Sequence, residues 1–273
     1  MKIKKVWSVC FSATGNTEAV VSTVSEELAF RMNVPHEKLP FTLPVDRERE
    51  YFFDTGNLVV VGTPTYAGKM PNKLLPDFKS KLHGEQALAV GIVTFGNRSY
   101  DNALAELNSV LEGDGFHVIA AGAFVCQHSF AEKLAEGHPN RCDRILYKRY
   151  ACDIAEKLRT SAPPFASLKV PGDPAAPYYV PKGLDGQPAK FLKAKPITNL
   201  KRCTGCGDCA RLCPMGSISL ENPSAVLGVC IKCHACIQGC RQHAKTFDDP
   251  AFISHKTMLE RNFVTLKENE IYL

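Results

Sequence analysis

The chain has 273 residues, a formal charge of +5, 45% hydrophobic content and twelve cysteines. That length holds one domain of about 150 residues and a smaller one, and the composition is globular. No run of about 18 apolar residues predicts a membrane span, and no Lys/Arg run is interleaved with aromatics as a nucleic-acid groove would be.

Residues 1–160 alternate apolar strands with amphipathic helices. Val6–Phe11 reads as a first strand and Asn16–Met32 as a helix, with Val20, Val24, Leu28 and Phe30 along it. A short strand is expected near Glu37–Leu39, and a buried one at Asn57–Gly62. Pro71–Lys81 starts as a helix, with proline in its first turn. Ala87–Thr94 and His117–Gln127 read as two more buried strands, separated by a helix at Asp101–Glu112. A last helix spans about Arg141–Arg159. Continuous apolar strands between helices predict an α/β fold, a parallel sheet covered on both faces.

Three loops follow strands where open α/β sheets bind ligands. The first is Ser12-Ala13-Thr14-Gly15-Asn16-Thr17. Gly15 allows a tight turn, the hydroxyls of Ser12, Thr14 and Thr17 can accept or donate, and helix-start amides favour an anion. Neither GK[ST] nor G-x-G-x-x-G is present, which disfavours a triphosphate and a dinucleotide and leaves a monophosphate. Ser, Thr and Asn before a helix are also ordinary caps. The other two loops weigh against capping alone. One contains Pro64, Thr65, Tyr66, Ala67, Gly68 and Lys69; the other contains Phe95, Gly96, Asn97, Arg98, Tyr100 and Asp101. Each sets an aromatic near a glycine, as a sandwich around a flat ring would need.

Residues 161–195 hold seven of the eighteen prolines and three glycines, which reads as a semi-rigid, extended linker. Phe165, Tyr178, Tyr179 and Phe191 predict that parts of it pack on a surface. Next come Cys203, Cys206, Cys209 and Cys213, spaced C-x2-C-x2-C-x3-C. Cys230, Cys233, Cys236 and Cys240 repeat the spacing 27 residues later. Three cysteines in consecutive C-x2-C steps suit one tetrahedral ion poorly, because zinc ribbons use two separated pairs. The opening MKIKKVWSVCF is too short for a signal h-region, so reduced thiols and a cytoplasmic setting are expected rather than a disulfide framework. Pro214 follows the first run but Arg241 follows the second, placing a cation beside it. His234 and His243 read as surface residues, Cys10 and Cys126 as core thiols. Asp249-Pro250 can start a helix toward Phe263, and the last residues have strand-like composition. The tail 251–273 is expected to fold back onto a domain.

These motifs carry a resemblance. Residues 1–160 resemble a flavodoxin, through the S-x-T-G-N-T loop. Residues 196–250 resemble a bacterial two-[4Fe–4S] ferredoxin, through the doubled cysteine run. The whole is similar to the flavodoxin–ferredoxin fusion proteins of anaerobes. The resemblance implies a doubly wound five-stranded sheet of order 2-1-3-4-5, a small α+β domain, FMN and two [4Fe–4S] clusters. It implies that the fourth cysteine of each run serves the other cluster. One set is then Cys203, Cys206, Cys209 and Cys240; the other is Cys230, Cys233, Cys236 and Cys213. Ser12 to Thr17 carry over as phosphate ligands, Tyr66 and Tyr100 as ring-stacking residues, and Gly68 as a peptide able to turn its carbonyl toward the flavin. Relatives surround the ring with acids, whereas here Lys69 and Arg98 lie in the ring loops; a cation there favours the anionic reduced flavin. Two clusters, each about −2 when oxidised, nearly cancel the formal positive charge.

The implied function is electron transfer between FMN, the clusters and soluble redox proteins. The alternative is an FMN-dependent reductase of a small organic or quinone-like substrate, fed by the clusters. A deep pocket over the flavin favours the second reading, and an edge-exposed ring the first. A third reading is a docking module that has lost FMN, which flavin content separates from both.

Overall fold

The computed structural model describes residues 2–161 and 165–273; Pro163 and Pro164 of the expected linker lie outside the described residues. The N-terminal part runs β1 (Lys5–Cys10), α1 (Asn16–Met32), β2 (His36–Pro40), β3 (Asn57–Pro64), α2 (Leu75–Lys81), β4 (Leu88–Phe95), α3 (Ala103–Gly113), β5 (His117–Val125) and α4 (Arg141–Thr160). After the cysteine runs come α5 (Pro250–Asn262) and β6 (Glu270–Tyr272).

The sheet order is β2-β1-β3-β4-β5-β6. The first five strands are parallel in the order 2-1-3-4-5, the flavodoxin-like doubly wound arrangement. The expected sheet of five gains a sixth member. The tail adds β6 antiparallel to β5, with Ile271 opposite Gly122, and so covers an edge that would otherwise offer unpaired amides.

Both faces are buried, which is why the strands are apolar without alternation. Along β3, Leu58 and Val60 pack under α1 and α4 with Val24, Leu28, Tyr147 and Ile154. Val59 and Val61 point the other way, toward Phe78 of α2 and Leu104 and Leu107 of α3. Each fully buried aliphatic or aromatic side chain contributes about 1.5–3 kcal/mol. Asn140 caps α4, accepting from the Cys142 amide at 2.7 Å, and Asp143 answers by accepting from the Asn140 amide at 2.6 Å. Asp249 caps α5 through the Phe252 amide at 2.9 Å, with Pro250 in the first turn.

The cysteine runs fold as a small α+β unit. Ile197–Thr198 pairs antiparallel with Lys245–Thr246, and one-turn helices follow at Asp208–Arg211 and Ala235–Gln238. This unit docks on the α/β unit: Gln238 donates to Ser129 O at 2.8 Å, and Ile231 and Met215 pack against the α2–α3 face. No helix among the described residues is long and apolar enough to cross a membrane.

Candidate functional site

Loops after β1, β3, β4 and β5 surround a cavity of about 230 Å³. From the first loop, Ser12, Ala13, Thr14, Asn16 and Thr17 line it. Gly15 does not; it stands exposed at φ 88 and makes the turn into α1. Ser12 Oγ accepts from the Glu18 amide at 3.0 Å, so Ser12 acts as a helix cap. Thr17 and Thr94 share a hydroxyl hydrogen bond of 2.7 Å, and Asn16 donates to Gln127 O at 2.9 Å. These contacts brace the loop. Thr14 and the Asn16 and Thr17 amides remain as donors, since first-turn amides have no acceptor within their own helix.

Pro64, Thr65, Tyr66, Ala67 and Gly68 line the cavity from the second loop, and Thr65 Oγ1 is sealed there without a partner among the described residues. Ala67 (φ 48) and Gly68 (φ 79) form a tight turn closed by the Tyr66 amide on Lys69 O at 2.8 Å. A Cβ at residue 68 would lie 2.3 Å from Asp101 Oδ2, so only glycine fits. The turn's carbonyls are engaged by protein: Ala67 O accepts from the Tyr179 amide at 2.8 Å and Gly68 O from the Asn102 amide at 2.9 Å. The Gly68 carbonyl expected to turn toward a ring is thus held away in this conformation.

Lys69 is a correction. Its ammonium is buried 3.0 Å from Glu106 and donates to Pro174 O at 2.8 Å and Ala176 O at 2.9 Å, outside the cavity. Burial without a partner would be costly, so the lysine turns to the acid on α3 and the linker.

In the third loop, Phe95, Gly96 and Arg98 line the cavity, while Asn97, Tyr100 and Asp101 do not. Asn97 is fully buried and clasps the tail, donating to Phe263 O at 2.7 Å and Thr265 O at 3.0 Å and accepting from the Lys267 amide at 2.8 Å. The Tyr100 hydroxyl donates to Glu270 at 2.6 Å and its ring packs on Phe95, so it serves the edge strand rather than a cofactor ring. Burial raises its phenol pKa, with Glu270 adding to the effect. Asp101 pairs with Arg98, whose guanidinium lies 4.0 Å over the Tyr179 ring.

Three walls arise far from these loops. Gln127, His128, Ser129 and Phe130 follow β5; Tyr179 and Phe191 come from the linker; His255 and Leu259 come from α5. This part of the linker, Tyr178 to Phe191, is therefore strapped down, with Tyr178 also donating to Met70 O at 2.9 Å. His128 Nδ1 accepts from the Phe130 and Ala131 amides at 3.3 and 3.2 Å, which places its proton on Nε2. Burial pushes its pKa down to about 3, with His255, His234 and Arg98 adding like charge.

The thiols gather into two sets. Cys213, Cys230, Cys233 and Cys236 line one cavity; Cys203, Cys206, Cys209 and Cys240 line another. These are the exchanged sets that the resemblance implies. Among the described residues no three His, Cys, Asp or Glu groups converge to hold a single ion; the thiols surround a space. That donor set suits an inorganic cube held at its corners. Backbone amides point at the sulfurs: Ser217 N lies 3.3 Å from Cys213, Lys232 N 3.4 Å from Cys230 and Ala244 N 3.3 Å from Cys240. Burial pushes the Cys233 and Cys236 thiols up to about 12, so ionisation there needs a bound cation.

The two regions meet. Ile231 and Lys232 line both the large cavity and the Cys213/Cys230/Cys233/Cys236 cavity. Burial lifts the Tyr66 phenol pKa well up, and thiols Cys233 and Cys230 add to it across the boundary. His234 is another correction. It is 7% exposed, stacked on Phe247 and Phe252, with both ring nitrogens sealed and unpartnered among the described residues. His243 and Arg241 are exposed. Cys10 is a buried core thiol as read, whereas buried Cys126 also reaches the large cavity.

Residues 195–250 match the family described as the 4Fe-4S dicluster domain. No curated protein matches the chain. Among solved structures, a flavodoxin from the Archaea is 20% identical over 57% of this chain and 99% of its own, at TM-score 0.36. A flavodoxin from Pseudomonas aeruginosa is 13% identical over 57% and 99%, at 0.39. An NADH:FMN oxidoreductase in its apo form is 19% identical over 59% and 92%, at 0.40. The fold is read from the strand order, not from these likenesses. The chain joins a flavodoxin-like α/β unit to an iron–sulfur domain of the dicluster type.

Proposed function

We propose that the large cavity binds FMN, that each thiol cavity holds one [4Fe–4S] cluster, and that the chain carries electrons among them and soluble redox partners in the cytoplasm. The observation behind this is the wall shared by two cavities, Ile231 and Lys232. A flavin supplies exchange between electron pairs and single electrons; iron–sulfur centres move one at a time. Thr14 and the Asn16 and Thr17 amides would hold the phosphate, as a helix start favours an anion. Thr65, with its orphaned hydroxyl, and Tyr66 would face the ring, and Arg98 would set a positive charge beside it. The fixed wall makes the route intramolecular, so transfer waits neither for diffusion nor for a swinging tether.

Anaerobic purification with iron, acid-labile sulfide and flavin measured per chain tests this reading. About eight iron and one FMN are expected. Oxygen-free protein carrying neither iron nor flavin overturns it.

One observation favours a second reading, the reductase. Tyr179, Phe191 and His255 wall the cavity beyond the strand ends, deeper than a carrier with an exposed ring edge requires. Turnover of a small quinone by the reduced holoprotein, lost in a variant that fills this outer space, supports the reductase; an unchanged rate supports the carrier.

A further inference from the structure

The two cysteine runs share their spacing but not their other residues, and two of the differences fall where the chain turns left-handed. In the first, Gly205 (φ 72) and Gly207 (φ 76) flank Cys206. In the second, Lys232 (φ 57) and His234 (φ 64) occupy the same places around Cys233. Residues with a Cβ avoid this conformation, and glycine adopts it freely. Gly207 and His234 each begin a one-turn helix, so the backbones are equivalent. The second run therefore accepts strain that the first avoids, and such strain persists where a side chain is needed.

What the side chains do follows from their surroundings. The His234 ring lies 5.1 Å from Phe247 at 12° and 5.6 Å from Phe252 at 24°, with Phe130 at 5.5 Å. This box supplies no acceptor, and neither ring nitrogen has a partner among the described residues. A neutral imidazole carries one N–H, and a buried donor left unmade is unfavourable. His234 also lines the cavity of Cys213, Cys230, Cys233 and Cys236, whose sulfurs are the acceptors at hand. Lys232 reaches the same cavity and anchors its ammonium on Leu192 O and on Cys230 O, the latter at 3.0 Å. The other thiol cavity is lined by glycine, not histidine, at the matching place.

We propose that His234 donates a hydrogen bond to the iron–sulfur centre beside the large cavity and, with the Lys232 ammonium, makes that centre the easier of the two to reduce. This rests on the reading that both thiol cavities hold clusters. Hydrogen bonds to cluster sulfur and nearby positive charge both stabilise the more negative, reduced state. The asymmetry makes the near centre the resting place of an electron arriving through Ile231 and Lys232, and the far centre the uphill one.

Redox titration of anaerobically purified holoprotein, followed by electron paramagnetic resonance, tests this. His234→Phe keeps the ring in its box without an N–H, and one midpoint is expected to fall while the other holds. His234→Asn, which tolerates the left-handed backbone and keeps an N–H, is expected to recover part of the shift. Lys232→Gly, at a φ that glycine adopts freely, is expected to lower the same midpoint, and it decides the matter if the Phe variant fails to assemble. Unchanged midpoints at wild-type iron content overturn the proposal and leave the cluster reading intact. Wild-type protein without iron–sulfur centres overturns both.

Discussion

Arg47 Nη2 donates to the carbonyl of Pro214, 2.8 Å away, and so ties the α/β unit to the residue after Cys213. The guanidinium is buried, pairs through Nε with Asp77 on α2 at 2.7 Å, and also donates to Phe41 O and Thr42 O. One side chain thus fixes a turn, a helix and the loop of an exchanged thiol. Arg47→Leu strands these acceptors and should cost about 2–3 kcal/mol, the scale for charge-assisted hydrogen bonds. Arg47→Lys keeps the charge without the fork and should fall between. Thermal melts of the anaerobic protein check this, with iron release expected earlier in the Leu variant. A melt unchanged by Arg47→Leu would show that the units dock without this tie.

The exchange of thiols between runs gives a second prediction. Cys240 is a neighbour in sequence of Cys236 but lines the cavity of Cys203, Cys206 and Cys209. Cys240→Ser should therefore remove the far centre, and Cys213→Ser the near one, each leaving about half the iron. Only Cys240→Ser should keep the resonance whose midpoint responds to His234. Loss of that His234-responsive resonance in Cys240→Ser, with its retention in Cys213→Ser, would mean that the thiols are not exchanged.

Much of this was legible in the sequence, for a physical reason. Strands buried on both faces read as unbroken apolar runs, so β1, β3, β4 and β5 stand out, and glycine and hydroxyl residues mark the turn into α1. Cysteine spacing is equally local. The far side of the large cavity was not legible. Tyr179, His255 and Ile231 come from a linker, a late helix and a cysteine loop, and no periodicity links them to the strand ends. The tail contacts of Asn97 and Tyr100 were not legible either, because their partners, Phe263–Lys267 and Glu270, lie more than 160 residues on. His234 looked like a surface residue because the aromatic box around it exists only in three dimensions.

A pH dependence follows from Asp114. Burial pushes its carboxyl up to about 6, with His83 and Lys79 pulling it partly back. It stands at the C-terminal end of α3, where the helix dipole also disfavours a negative charge, and its Oδ2 has no partner among the described residues. The folded chain holds this proton more tightly than the unfolded chain, whose aspartate titrates near 4. The contribution to stability is therefore full below about pH 4 and is lost as the pH rises through about 6. Asp114→Asn should raise the melting temperature at pH 7–8 and make no difference below about pH 4. An equal effect at both ends of the range would assign it to packing instead of charge.

Of the two ring-loop cations, Arg98 is the one that stays at the large cavity, since Lys69 is withdrawn to Glu106. Its charge is partly offset by Asp101 and it stacks on Tyr179, so its field at a bound ring is weaker than a lone guanidinium's but fixed in place. A fixed cation stabilises an anionic reduced ring more than a neutral oxidised one. Arg98→Glu sets a second carboxylate beside Asp101 and should lower the flavin midpoint, with weaker binding of the reduced form. Lys69→Met removes an equal charge, but from the Glu106 pair and the linker contact outside the cavity, so it should loosen Tyr178 and Tyr179 and shift the midpoint far less. Potentiometric titration of the two variants separates the cases. Equal shifts would mean that the charge acts from a distance through the whole field, and no shift in Arg98→Glu would mean that the guanidinium does not face the ring.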